Sequence, residues 1–166
     1  KNIGYTDSAW WVRMTFRNNS GNVLEYLLRY NSTWISHVDF YYPLKSGFGA
    51  VRTGTATPFD TRPFRDRAFV FPVSQGPGER NYYFRLQGTG RLVLDFTLWS
   101  PGEFREYRSR VESLYRISYA VLICFLFYNL FIFIFARLRY YLFYCIYLAF
   151  YALFLCAYDG SGYMYL

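Results

Sequence analysis

The chain is poor in the residues that most protein chemistry relies on. It has one histidine, His37, and three cysteines, and Cys124, Cys145 and Cys156 all lie in the apolar last third. Residues 1–116 therefore have no disulfide framework and no Cys/His set at metal-ligand spacing. Phosphate-cradling glycine loops, GxGxxG and nucleophile motifs are missing too. His37 and Asp39, two apart on a strand, share a face while Ser36 points away. That argues against a Ser-His-Asp triad and for a surface histidine. No catalytic residue, metal or cofactor is expected. An exported domain without disulfides suits a bacterial periplasm. Initiator Met and signal peptide are also wanting, and Lys1-Asn2-Ile3 and Tyr163-Met164-Tyr165-Leu166 read as cut ends, so a piece of a longer protein is expected.

Charge is the next shortage. Mean hydropathy is +0.03, an average over two unlike parts. Of 18 Lys and Arg and 11 Asp and Glu, only Arg137, Arg139 and Asp159 fall after Arg116. Ile117–Ala136 is an uncharged run of 20 and Tyr140–Tyr158 one of 19. About 20 apolar residues cross a ~30 Å hydrocarbon layer as a helix. Two transmembrane helices follow, joined at Arg137-Leu138-Arg139 as an antiparallel hairpin in a lipid bilayer. Two buried helices of a soluble domain are the alternative, but a chain this short could not cover two helices apolar all round. The basic join favours the cytoplasm, against Arg105, Arg108, Arg110 and Arg116 on the other flank. A folded domain translocates regardless of such a count, which places residues 1–100 outside.

Two polar features interrupt the apolar runs. Asn129 follows Tyr128 in mid-span, where an unpaired amide is costly, so it should face another helix. Tyr140, Tyr144, Tyr147, Tyr151 and Tyr158 recur at helical spacing as one stripe. Both are expected to face a bundle interior, as helix–helix glue or as a polar switch. Two helices offer little interior, so further helices or a second copy, as in a homodimer, are implied.

The remainder alternates with period two. In WWVRMTFRN, Trp10, Val12, Met14 and Phe16 fall opposite Trp11, Arg13, Thr15 and Arg17. VLEYLLRY, WISHVDFYYP, RAFVFPV, NYYFRLQ and RLVLDFTLW behave alike, and NNSGN, NST, KSGFG, TATPFD, QGPGE and GTG supply turns. Short strands at this spacing predict a β-sandwich over 1–100, of jelly-roll or similar two-sheet type. Ser100 as cap, Pro101 at the first helical position and Glu103 in the first turn predict a juxtamembrane helix over 101–116. Phe104, Tyr107, Val111 and Leu114 continue it into the first span, and 117–166 hold the two spans. A continuous helix would couple the sandwich mechanically to the membrane.

Residues 1–116 carry 16 positive and 10 negative charges, a formal +6. The basic residues are scattered among apolar ones, so a solvated face or an acidic sugar or lipid head group fits better than nucleic acid. Trp11, Arg13, Arg17, Tyr41 and Arg85 point outward by alternation. Aromatic rings stack on sugars and Arg holds carboxylates or hydroxyls, so these five are the candidate ligand-binding residues; contact with a loop or a second domain is the plainer reading of each. Two rival functions stand beside ligand sensing. One is a carbohydrate-active enzyme using Glu25, Asp39 or Asp95, since glycosidases need two facing carboxylates. The other is a structural envelope protein whose sandwich docks a partner. Asn18-Asn19-Ser20 and Asn31-Ser32-Thr33 match the glycosylation acceptor pattern.

GYTDSAWWVRMTFRN, NYYFRLQGTGRLVLDFTLWSP, LFYNLFIF and RLRYYLFYCIYL, in that order and spacing, resemble the bacterial seven-transmembrane receptors with diverse intracellular signalling modules. The resemblance covers Gly4 to Leu166. It implies an extracytoplasmic jelly-roll sensor similar to carbohydrate-binding modules, seven helices, and a cytoplasmic output domain such as a diguanylate cyclase, histidine kinase, adenylate cyclase or protein phosphatase. Asn129 then sits in the tyrosine–asparagine phrase of the first helix, and Tyr140 and Tyr144 head the second. Five helices and the output domain have no counterpart here. The expectation is a receptor sensor module of a bacterial cell membrane, itself not an enzyme.

Overall fold

The computed structural model describes residues 2–5 and 7–160; the expected domain limits also take in Lys1, Thr6 and 161–166, which lie outside the described residues. The elements are β1 (Asn2–Tyr5), β2 (Trp10–Asn18), β3 (Leu24–Tyr30), β4 (His37–Pro43), β5 (Phe48–Thr53), a 3-10 turn (Phe59–Thr61), β6 (Phe69–Gln75), β7 (Gly78–Gln87), β8 (Arg91–Val93), β9 (Phe96–Trp99), α1 (Pro101–Ala136) and α2 (Arg139–Tyr158). The chain divides into two compact units, Lys1–Phe104 and Arg105–Leu166.

The first unit is a sandwich of antiparallel strands. One sheet runs β2-β7-β4-β5 and the other β6-β3-β9, with β1 paired to β8. If β8 and β9 are counted as one interrupted strand, the second sheet reads β1-β8/β9-β3-β6. The pair of sheets then has the eight-strand jelly-roll arrangement. The alternating faces explain the core. Leu28 and Tyr30 of β3, Phe69, Phe71 and Val73 of β6, Val38 and Phe40 of β4, and Tyr82, Phe84 and Leu86 of β7 are all buried together. Burying such side chains contributes about 1.5–3 kcal/mol each.

RLVLDFTLW, expected as one strand, is broken at Leu94-Asp95. Asp95 takes up the neighbouring chain instead: its backbone carbonyl accepts the Asn31 N–H (2.9 Å) and its carboxylate accepts the Asn31 side-chain amide (2.9 Å). The Tyr30 hydroxyl, buried at the same place, donates to the Val93 carbonyl at 3.1 Å. Trp10, placed by alternation on the inner face, is 40% exposed, and Leu98 is 44% exposed.

The three-stranded sheet is covered on both faces. Leu27 and Val70, which point away from the main core, are buried with Phe104, and Phe64 and Trp99 pack on them. Phe104 is held there by the start of α1. The Glu103 N–H donates to the Ser100 hydroxyl (3.3 Å), and the Ser100 N–H donates to Glu103 Oε2 (3.4 Å), which the Ser100 hydroxyl also reaches (2.8 Å). This is the reciprocal capping box that Ser and Glu three apart allow.

In the second unit, α1 and α2 are long and apolar enough to cross a membrane, with mean hydropathy 2.4 and 1.8 in their most apolar windows. The 36 residues of α1 make a rod of about 54 Å, longer than a ~30 Å hydrocarbon layer needs. Its charges stop at Arg116. The α1 chain turns at Arg137, which adopts the left-handed conformation (φ 54°) that ends many helices.

Candidate ligand-binding site

The four-stranded sheet presents its outer face in rows set by strand register. Trp11 on β2 lies opposite Arg85 on β7, Arg85 opposite Asp39 on β4, and Asp39 opposite Arg52 on β5. One row on, Arg13 lies opposite Tyr83, and Tyr83 opposite Tyr41. His37 lies opposite Gln87 in the row on the other side. Trp11, His37, Asp39, Tyr41, Arg52 and Arg85, with Thr53 and Thr57, line a cavity of about 480 Å³.

An aromatic bridge and an ion pair shape this cavity. The Trp11 and Tyr41 rings stack with centroids 5.5 Å apart and planes at 28°. Arg85 donates to the Asp39 carboxylate at 3.2 Å and to the Gln87 side-chain oxygen at 2.6 Å. Asp39 is thus committed to Arg85, although Arg52 stands directly opposite it on the other side. Arg52 is exposed, and among the described residues it makes no ion pair. At the end of β5, a side chain on Gly54 would collide with the Ser36 carbonyl, so glycine is what lets β5 pass this close to β4. Thr53 beside it is buried and accepts a hydrogen bond from the Thr61 hydroxyl at 3.1 Å.

Of the five residues chosen from alternation, the structure gathers Trp11, Tyr41 and Arg85 in this cavity. Arg13 lies one row away on the same face. Arg17 is at the far end of β2, opposite Glu79 and about 20 Å from Trp11 at ~3.4 Å per residue. Sequence reasoning did not select His37, Asp39, Arg52, Thr53 or Thr57 as ligand contacts. The alternation of HVDFYYP already put His37 and Asp39 on the face of Tyr41; the alternation of FGAVRT would have added Arg52.

The three carboxylates considered for glycoside chemistry sit apart. Asp39 lines the outer-face cavity, Glu25 stands on β3 in the other sheet, and Asp95 is bonded to Asn31 at the strand break. The glycosylation-like asparagines are also engaged. Asn18 is buried, its amide donating to the Asn22 and Gln75 carbonyls (2.8 and 3.0 Å) and its oxygen accepting the Ser20 N–H (2.8 Å).

In the helical unit the two polar features part company. Asn129 is buried, but its amide donates to the Phe125 carbonyl of its own helix at 2.8 Å. Cys145 and Leu148 are the buried residues of α2, and the Cys145 thiol lies 3.8 Å from the Leu126 carbonyl of α1. The expected tyrosine stripe does form, Tyr147 stacking with Tyr144 and Tyr151 at 6.1 Å, yet it is exposed, with Tyr140 82% accessible. Tyr128, next to Asn129, is exposed as well. Sequence reasoning passed over a further polar contact: the Tyr119 hydroxyl donates to the Asp159 carboxylate at 3.0 Å, joining the start of the α1 span to the end of α2.

A family model described as 7TMR-DISM extracellular 2 matches residues 1–100, well over half of the chain. No curated protein and no solved structure matches it.

Proposed function

The chain belongs to the 7TMR-DISM extracellular 2 family, and from that premise we propose that its outer-face cavity binds a carbohydrate whose capture is relayed through α1. Membership makes the sandwich the sensor module of a membrane receptor, with the N-terminal domain outside. The proposal adds the ligand and the route. The observation that carries the ligand is the Trp11–Tyr41 stack beside the exposed Arg52. Aromatic faces bind the C–H faces of sugar rings by dispersion and burial, and a guanidinium without a carboxylate partner holds a carboxylate or vicinal hydroxyls in two parallel hydrogen bonds. A saccharide with an acidic group satisfies both.

The route rests on Phe104. The sandwich buries this side chain in the first turn of α1, and the same helix continues without interruption into the apolar span. A ligand shifts such a relay only by binding its two states with different affinity. The exposed tyrosine stripe of α2 and the exposed Phe125 and Tyr128 of α1 suit contact with further membrane helices or a second copy, and the output, a cyclase or kinase domain, lies beyond them. The setting is a bacterial cell membrane. This reading gives the chain no catalysis of its own: Asp39 pairs with Arg85, Glu25 stands in the other sheet, and Asp95 is bonded to Asn31 at the strand break.

The test is tryptophan fluorescence of the full chain in lipid nanodiscs, titrated with neutral and uronic-acid oligosaccharides. Saturable change with the acidic sugars, weakened in both Trp11→Ala and Arg52→Gln, is expected. No saturable change across the panel would overturn carbohydrate binding at this face.

A further inference from the structure

A larger cavity, of about 680 Å³, opens on another side of the sandwich. The edge strands of the two sheets, β5 and β6, both contribute to it, through Val51 and through Pro72, Val73 and Ser74. Its floor is the core: Phe40, Val73 and Tyr82 are buried residues that also line it. The Tyr82 hydroxyl is already engaged, its one proton shared between Gln75 Oε1 (3.0 Å) and the Ser74 carbonyl (3.2 Å) with the Arg80 guanidinium beside it, so what Tyr82 turns to the cavity is its ring. Tyr42 forms a wall, and the β5 backbone makes room for it; a Cβ at Gly49 would collide with the Tyr42 ring.

The polar complement is small. Tyr26 and Tyr42 bring hydroxyls that hydrogen-bond to no side chain or backbone group among the described residues. Glu25 and Arg80 bring one charge of each sign and form no ion pair among the described residues. An aromatic and aliphatic chamber of this size, with a few convergent polar groups, has the make-up of a small-molecule site. With one charge of each sign, the lining carries no net charge that would draw a charged head group in preference to a neutral one.

We propose that this cavity is a second binding site, for a small neutral amphiphile: an apolar chain or ring against Phe40, Val51 and Tyr82, and a hydroxyl or carbonyl head at Tyr26 and Tyr42. It shares no residue with the outer-face cavity, so it does not depend on sugar binding there. It does share Leu27 and Phe64 with the cluster that seats Phe104. Filling it presses on the same side chains that hold the first turn of α1.

The experiment uses a decanol bearing a photoactivatable diazirine, added to the full chain in nanodiscs, with adducts mapped by mass spectrometry. Labelling of α1 and α2 from the bilayer is the internal control for probe delivery. Expected are adducts on Tyr42, Val51 or Phe64 that excess decanol removes. They should fall at least several-fold in Val51→Trp, which fills the chamber, and in Leu44→Trp, which narrows its mouth on an exposed loop and leaves the core alone. Adducts confined to the helices, or cavity adducts indifferent to both tryptophans, would overturn the site. Amide exchange at Phe104 reads the link to α1: slowing at saturating decanol supports it, and unchanged exchange with the cavity labelled removes it.

Discussion

Trp11 and Tyr41 stack across a strand that belongs to neither of them. Trp11 is on β2 and Tyr41 on β4, and β7 runs between the two. Strands two apart are separated by about 9.6 Å, yet the ring centroids are 5.5 Å apart. The side chains therefore lean over β7, where Arg85 and Tyr83 stand. The rings bridge the row that carries the Asp39–Arg85 pair. This makes one aromatic surface beside one set of charges, and Trp11 itself remains 59% exposed.

Truncating the bridge should therefore damage binding more than folding. Trp11→Ala removes an aromatic pair with a contribution of about 1 kcal/mol and no core volume. The expected result is a small drop in denaturation midpoint with a rise in Kd for the proposed saccharide of about tenfold, equivalent to about 1.4 kcal/mol. Arg17→Ala, at the far end of β2, should leave Kd unchanged. Calorimetric titration of both variants decides it; equal losses would mean that the face acts through general charge and not through this cavity.

How much of this could be read from the chain differs by element. The period-two pattern of β2 shows a strand with Trp11, Arg13 and Arg17 on one face, and the structure has that strand. Register is what it does not contain: only the pairing of Trp11 with Arg85 and of Asp39 with Arg85 draws Trp11, Tyr41 and Arg85 together and leaves Arg17 out. The break at Asp95 is hidden because Leu94 and Phe96 keep the alternation going on either side of it. Asn129 and the tyrosines pose a different problem. In helices apolar all round, no periodicity says which stripe meets the neighbour, and α2 buries Cys145 and Leu148 rather than a tyrosine.

The seat of α1 gives a second prediction. Phe104 is 3% exposed, and Phe104→Ala should destabilise the sandwich by about 3 kcal/mol. Ser100→Ala, which opens the capping box, should cost about 1 kcal/mol. Both should raise amide exchange at the start of α1. If Phe104→Ala unfolds the domain at the same denaturant concentration as the parent, the side chain is not anchoring the helix.

The Tyr119–Asp159 hydrogen bond should hold the helical hairpin closed. Such bonds between membrane helices contribute about 0.6–1.7 kcal/mol, so Tyr119→Phe and Asp159→Asn should each raise the open population a few-fold. Cys145, buried in the seam, is the reporter once Cys124 and Cys156 are replaced by alanine. Its reaction with N-ethylmaleimide in detergent should speed up in both variants. Asn129→Leu should change it little, because the Asn129 amide bonds within its own helix. An unchanged Cys145 rate in both latch variants would show that the contact does not hold the helices together.

Alkaline pH should act on the sandwich through two buried tyrosines. Burial pushes the Tyr82 hydroxyl above its ordinary value, against an opposing pull from Arg80. Burial likewise raises Tyr30, with Asp95 adding to it and Ser32 opposing. The unfolded chain ionises its tyrosines near the ordinary value of about 10, while the folded domain still holds these two protons. Between the two values the folded state binds more protons, so stability falls as pH rises. Below about pH 10 the contribution is fully present, and it is lost as pH climbs toward the folded values. Denaturation followed by circular dichroism at about pH 8 and about pH 11 should show the loss, and Tyr30→Phe should reduce it. Tyr82→Phe should reduce it too, after a loss of about 1 kcal/mol at neutral pH for the hydrogen bonds to Ser74 and Gln75. A pH dependence identical in the parent and both phenylalanine variants would mean that other groups drive alkaline unfolding.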